Sequence, residues 1–375
     1  MIRRSNGPFA PYDRSWQQLS RRRFLKNSAL TAGALATTGL GAPFSASAAD
    51  SMTFLTWCDH MDPRLLGGYE EKTGVKVEAK SYEGSGAALS IKDQSAPGDW
   101  DLFCLDFQDT PWVARDGYLK ALDDSRVPWD AFHDGIRDQP HAYTDGKLYG
   151  VPDKFGYYGI AYNKDKVDEA DVNSAEIMFS DKYKGRMAVY DYYQPIIQLV
   201  GLSQGIAPKD ITVDNLESTI RKPLLKLKSN AIVVGDIVTV LNALHGDSAD
   251  MIIGGAEWSV ALDMVENPSL DYNVFDEGAL LWNESLCIFE DSAKEKECWD
   301  FIDWTLSPDG QRYLATSECF WACPVRKDTP LTEQEASILR WDQQVAFLQN
   351  AYPSTLGAPD LDAAMLDLWQ EFLAS

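Results

Sequence analysis

An α/β fold built on mainly parallel sheets follows from three features of this sequence. Short apolar runs alternate with helix-patterned segments along most of the chain, the pattern of strands joined by crossover helices. The 375 residues are 45% apolar and include twelve Trp, ample for a sizeable core. That length carries material for two domains.

The elements follow in order. Ser20-Arg21-Arg22-Arg23-Phe24-Leu25-Lys26 has the form of a twin-arginine export signal, with a weakly apolar run over 29–42 and a small-x-small cleavage pattern at Ala46-Ser47-Ala48. The run is too short and too interrupted for a membrane span, which needs about 20 apolar residues. Residues 1–48 are thus expected to be a signal peptide. They hold six Arg and one Lys against one Asp, so their removal takes the formal charge from −23 to −29. Such a surface repels nucleic acid and anionic lipid and attracts cations.

Residues 52–57 open the mature chain as a strand. A helix is expected over 62–72, with Leu65, Leu66 and Tyr69 on one face and Gly74 as its stop. Val75 to Ala79 reads as a second strand, 101–105 as a buried third, and 112–119 as a short helix. Ligands of such sheets lie at the carboxyl ends of strands, here Trp57-Cys58-Asp59-His60 and Asp106-Phe107-Gln108. An extended passage through Pro152 and Gly159 reads as a crossover between domains. Strands are expected at 186–190, 251–253 and 285–289, and helices at 211–229, 293–306 and 360–373. In the 293–306 helix, Cys298, Phe301, Ile302 and Leu306 recur at helical spacing.

Six cysteines (58, 104, 287, 298, 319 and 323) contain no C-x-x-C pair, and the four histidines are scattered, so no metal or cofactor site is expected. An oxidising compartment permits disulfides among them, with connectivity open. Cys104 and Cys287 fall in apolar strand-like runs and read as buried thiols.

The order of the pieces resembles the periplasmic spermidine/putrescine-binding proteins of ABC importers. The resemblance runs from about Met52 to the C-terminus and rests on "FLTWCDHMDPRLLGGYEEKTGVKV", "DLFCLD", "KLYGVPDKFGYYGIAYNKDKV", "FSDKYKGRMAVYD", "LLWNESLCIF" and "FWACPV". It implies a two-lobed periplasmic-binding-protein fold, each lobe a mainly parallel sheet flanked by helices, with hinge strands crossing between them. Lobe 1 would comprise 49–152 plus 284–325, and lobe 2 would comprise 153–283 plus 326–375. It also implies a monomer that closes on a small cationic solute, requires no cofactor, and delivers its cargo to a permease partnered with an ATPase.

A polyamine needs flat aromatic faces along its methylenes and carboxylates at its ammonium ends. The resemblance places Trp57, Trp282 and Trp321 on aromatic positions of the cleft, and Asp59 and Glu284 on carboxylate positions. Trp282 and Glu284, two apart on a strand, share a face. The segment after "KYKG" departs from the family. Asp191 keeps one acid, but Tyr192 and Pro195 stand where the family has two more. Asp106 and Phe107 replace small polar residues, and Ile253 replaces a Trp, with Glu257 and Trp258 a few residues on. The expected ligand set is therefore Trp57, Asp59, Asp106, Phe107, Asp191, Tyr192, Glu257, Trp282, Glu284 and Trp321, for putrescine, spermidine or a related organic cation.

Other readings stay open from sequence. A ferric-ion-binding protein of the same fold would use Tyr192-Tyr193 and His60, although that pair comes early in the second lobe and Trp282-x-Glu284 has no role with iron. Catalysis is not expected: no G-x-S-x-G elbow, H-E-x-x-H or P-loop is present. A carboxylate pair such as Asp59 and Glu284 suits glycosidase chemistry as well as a cation. Transfer of the solute signal to a receptor, in place of a permease, is the remaining alternative.

Overall fold

A computed structural model describes residues 51–82, 84–137 and 140–375. The expected export signal and cleavage site lie outside the described residues. Two sheets organise the rest. In the first, the opening strand Ser51–Thr56 lies next to one edge, pairing in parallel with the edge strand Lys76–Ser81 and with Leu102–Asp106. The helix Pro63–Thr73 makes the crossover between the first two, as the alternation predicts. Asp62 caps it by accepting from the Arg64 N–H at 2.8 Å, and Gly74 ends it at φ 75°, where a side chain would strain the backbone.

The first sheet then reverses. Ala279–Ile288 runs antiparallel to Leu102–Asp106, Val151–Tyr158 runs antiparallel to that, and Cys323–Pro324 closes the edge. The second sheet has Ile160–Asn163 and Leu270–Asn273 antiparallel at one side and the parallel set Met251–Ile253, Met187–Tyr190, Ala231–Gly235 at the other. The molecule is thus a two-lobed α/β fold whose sheets are mixed. Most parallel pairing belongs to the crossover units, whereas Val151–Tyr158 and Ala279–Ile288, which carry the chain out to the second lobe and back, pair antiparallel with each other.

Sheet membership changes at Gly159 and again between Asn273 and Ala279. The strands Val151–Tyr158 and Ala279–Ile288 therefore lie wholly in the first sheet, whereas the sequence reading divides the lobes after Pro152 and Asn283. Gly159 has a steric reason: a Cβ there would collide with the Asn273 carbonyl of the other crossing segment. The chain crosses a third time after Ala351–Pro353, which pairs with the returning strand. The last helix, Pro359–Ala374, then packs Met365, Leu368, Trp369 and Phe372 into the second-lobe core.

Candidate functional site

The site grows from strand ends. Just past the opening strand, Trp57 leads into a tight turn, Cys58–Met61, that carries Asp59 and His60. Cys58 forms a disulfide with Cys319, 261 residues on, and so ties this turn to the segment bearing Phe320. Cys104 and Cys287 are free, buried thiols.

Strand register sets the next layer. Glu284 stands opposite Asp106 on one neighbour and opposite Lys154 on the other, and Trp282 stands opposite Gly156. Because side chains alternate, Asp106, Lys154, Gly156, Tyr158, Trp282 and Glu284 share one face. The ladder slips between Glu284 and Ser285, leaving Asp153 unpaired. Such a bulge re-aims a side chain.

Lys154 occupies the centre of a buried ion cluster. Its ammonium pairs with Asp59 and, at 3.0 Å, with Glu284 Oε2. The rings of Phe320 and Trp282 lie 4.5 and 5.8 Å from it. His60 Nε2 meets Asp153 Oδ2 at 2.5 Å, and its Nδ1 lies 3.3 Å from Asp59. Cys104 Sγ donates to Glu284 Oε2 at 3.0 Å. Asp59, His60, Asp153 and Lys154 have no solvent exposure. Burial lowers Lys154 to about 8, with the Glu284 charge opposing that shift, and raises the Cys104 thiol well above its usual value. These groups also offer ligand atoms at metal spacing, as Asp59/His60/Glu284 and His60/Cys104/Asp153. Lys154 pairs with Asp59 and Glu284, the two carboxylates of the first set.

Beside this cluster lies a second set of groups. Glu257 is buried against Gly156, where a Cβ would strike both its carboxylate and the Trp282 indole. Its Oε1 accepts the Tyr157 N–H at 2.9 Å. Glu257 Oε2 and the indole nitrogens of Trp258 and Trp282 are buried without a hydrogen-bond partner among the described residues. Burial raises Glu257 to about 8. Asp106 is held well above the carboxylate range by burial, then by the charges of Asp109 and Glu284. Both acids are thus protonated more readily than ordinary carboxylates.

Aromatic rings from the second sheet's strand ends complete the surface. Tyr190 stacks obliquely on Trp258 at 5.2 Å and meets Tyr192 edge-on at 5.8 Å. Tyr158 reaches both Tyr192 and Trp258, at 6.3 and 6.5 Å. Burial raises the Tyr158 phenol, with further contributions from Tyr190 and from the carboxyls of Asp106, Glu284 and Glu257. The rings of Tyr158, Tyr190, Tyr192 and Trp258 are half-buried, as are Trp57 and Asp106.

The structure therefore brings Trp57, Asp106, Tyr192, Glu257, Trp282 and Glu284 toward one another. It engages Asp59 with Lys154, whose ammonium lies 5.8 Å from the Trp282 ring. Phe107 packs into the core, with its ring against His141. Asp191 accepts the Trp369 indole N–H at 2.8 Å, on the last helix. Trp321 packs with Ala261, Ala315, Ile338 and Leu339 and lines a groove with Arg64, His245 and Asp263. Its neighbour Phe320 is the ring that covers Lys154. The groups of the iron reading diverge: Tyr192 joins the aromatic set, the Tyr193 hydroxyl donates to Asp362 at 2.7 Å, and His60 is bound to Asp153.

Sequence reasoning missed Lys154, Asp153, Tyr158, Tyr190 and Phe320. A signal existed for Lys154 and Tyr158. Within "VPDKFGYY" a period of two puts Lys154, Gly156 and Tyr158 on one face, and a lysine inside a buried strand demands a countercharge. Phe320 and Asp153 had none, because a disulfide and a bulge place them.

Comparison with known proteins agrees with this architecture. Residues 66–339 match the model of bacterial extracellular solute-binding proteins, and the chain belongs to that family. The putrescine/agmatine-binding protein of Pseudomonas aeruginosa is 24% identical over 76% of this chain and 81% of its own length. The spermidine/putrescine-binding periplasmic protein of Escherichia coli is 23% identical, over 76% and 80%. The crystal structure of the spermidine/putrescine ABC transporter substrate-binding protein PotD from Streptococcus pneumoniae superposes with a TM-score of 0.73 at 18% identity, covering 87% of this chain and 99% of that one.

Proposed function

We propose that this protein is the solute-receiving component of an ABC importer and that it takes a putrescine- or spermidine-like amine, or a related organic cation, between its lobes. The observation that carries this reading is that the half-buried rings Tyr158, Tyr190, Tyr192 and Trp258 contact one another, and that Glu257 and Trp282 meet at Gly156 on the strand face shared by Tyr158, Glu284 and Asp106. Aromatic faces attract cations by about 0.5–2 kcal/mol each. Buried polar atoms such as Glu257 Oε2 and the two indole N–H groups cost about 1–3 kcal/mol each while unpaired, a cost that a polar solute removes. The names of the relatives support the same class of ligand.

Trp57 and Trp282 flank the solute from the first lobe, and Tyr192, Tyr190 and Trp258 from the second. Asp106 and Glu257 meet its charge, and Asp59 acts indirectly by holding Lys154. Closure is a hinge motion about the crossing segments at Gly159 and 274–278. The closed form docks on a permease with its ATPase, as a monomer. Export by the twin-arginine route delivers the folded protein to the periplasm, where the Cys58–Cys319 bridge is stable.

A thermal-shift panel of putrescine, cadaverine, agmatine, spermidine, simple monoamines, amino acids, sugars and Fe(III) tests this reading. A ligand at 100 times its Kd stabilises by about 2.7 kcal/mol. Organic cations should raise the Tm; a response to sugars or anions with none to any amine defeats the proposal.

A further inference from the structure

The ion cluster around Lys154 has the composition of an ammonium receptor whose guest is part of the chain. Two carboxylates, Asp59 and Glu284, meet one primary ammonium, and two rings, Phe320 and Trp282, cover it at 4.5 and 5.8 Å. Carboxylate ends and aromatic faces are what a free alkylammonium requires. Lys154 fills the position with no exposure, from a strand that also carries Gly156 and Tyr158 toward the cleft. The opposite side of the cleft offers little more anionic charge. Asp191 is engaged by the Trp369 indole, and the residues after it are Tyr192, Tyr193 and Gln194. The carboxyls left facing the aromatic set are Asp106, at the end of a first-lobe strand, and Glu257, beside Trp258 at the start of a second-lobe helix, with Glu284 already shared by Lys154 and Cys104.

We infer that Lys154 supplies from within the chain one of the ammonium groups a polyamine would bring, so that this protein selects a solute with a single cationic centre, met by Asp106 and Glu257. This rests on the organic-cation reading of the cleft and narrows it. The favoured solute carries one ammonium and an apolar or neutral polar remainder that lies along Tyr158, Tyr190, Tyr192 and Trp258.

Two measurements test the inference, and they fail separately from the broader reading. The first uses Lys154→Ala, which leaves Asp59 and Glu284 facing a hole of lysine shape. Propylammonium chloride, measured against equal sodium chloride, should raise the Tm of this variant by about 4 °C or more beyond the shift it gives the wild type through the cleft. A shift in the variant no larger than that in the wild type overturns the inference. Should Lys154→Ala not fold alone, its refolding yield in propylammonium against sodium is read the same way. The second is a calorimetric comparison of putrescine with 4-aminobutan-1-ol, which has the same carbon chain and one ammonium. The wild type should bind the aminoalcohol at least as tightly. Preference for putrescine by more than about tenfold overturns the inference but leaves the organic-cation reading standing. Failure of both, with every other amine also silent, removes the organic-cation reading; the propylammonium result on Lys154→Ala still decides the role of Lys154.

Discussion

The two sides of the cleft solve the problem of buried polarity in opposite ways. On the first-lobe side, the charges are directed at one another: Lys154 joins Asp59 and Glu284, and His60 joins Asp153. On the second-lobe side, rings predominate, and Glu257 keeps one carboxyl oxygen without a protein partner among the described residues. An internally compensated cluster contributes to fixing the lobe, whereas aromatic faces with an unpaired acid contribute to holding a guest. The difference predicts that mutations within the Lys154 ion cluster act mainly on stability, and that mutations among the rings and the acids facing them act mainly on affinity.

The largest expected effect comes from breaking the ion cluster. Lys154→Met leaves two buried carboxylates without a countercharge and should cost about 3–5 kcal/mol in urea unfolding. The triple variant Lys154→Met/Asp59→Asn/Glu284→Gln should recover more than half of that. A loss below about 1 kcal/mol for Lys154→Met would show that the cluster does not hold the lobe. Next in size is the disulfide. Replacing Cys58 and Cys319 together by Ser releases a loop of 261 residues and should cost about 2–5 kcal/mol. Equal Tm values for the wild type with and without dithiothreitol would contradict this.

A pH effect of intermediate size belongs to the other side. The Glu257 carboxyl lies at about 8 in the folded protein against 4.5 ordinarily, so the folded state binds the extra proton between those values. Its contribution to stability is present below about 4.5 and is lost as pH rises through about 8. The Tm of the wild type should therefore carry a falling component across that window that Glu257→Gln removes; superimposable pH profiles would count against the assignment. Solute affinity should run the other way, tightening as pH rises and Glu257 and Asp106 ionise. The smallest effects are those of single rings. Tyr190→Leu or Trp258→Leu should weaken an organic cation by about 2- to 30-fold, equivalent to 0.5–2 kcal/mol, with a minor change in Tm. If Tm falls steeply while affinity holds, the ring is part of the core and not of the site.

Much of this architecture was legible in the sequence. Strand and helix alternation, the helix that Gly74 stops, and the buried thiols at 104 and 287 each express a local rule of spacing or backbone preference. Trp282 and Glu284 share a face because a strand has a period of two. What escaped was partnership across the chain. Asp59 has the residue type of a ligand carboxylate, yet a lysine 95 positions away meets it first, and only the register of the crossing strand decides that. Trp321 and Phe320 are both aromatic, and the Cys58–Cys319 bridge determines which of the two covers Lys154. Asp191 matched an acidic position in type, but Trp369 on the last helix, 178 residues on, supplies the indole that engages it.

The central claim is that a cationic solute is met in this cleft by the Asp106 side and not by the carboxylates already joined to Lys154. Asp106 is half-buried, beside Trp57 and opposite Glu284, and its carboxyl is held well above the usual range. Calorimetric titration of the best-binding amine into wild type and Asp106→Asn tests this directly. The account predicts a loss of affinity greater than about tenfold, with a Tm for the free variant equal to or above that of the wild type, since a costly buried acid has been neutralised. Unchanged affinity in Asp106→Asn, with the amine still bound in the cleft, would contradict it.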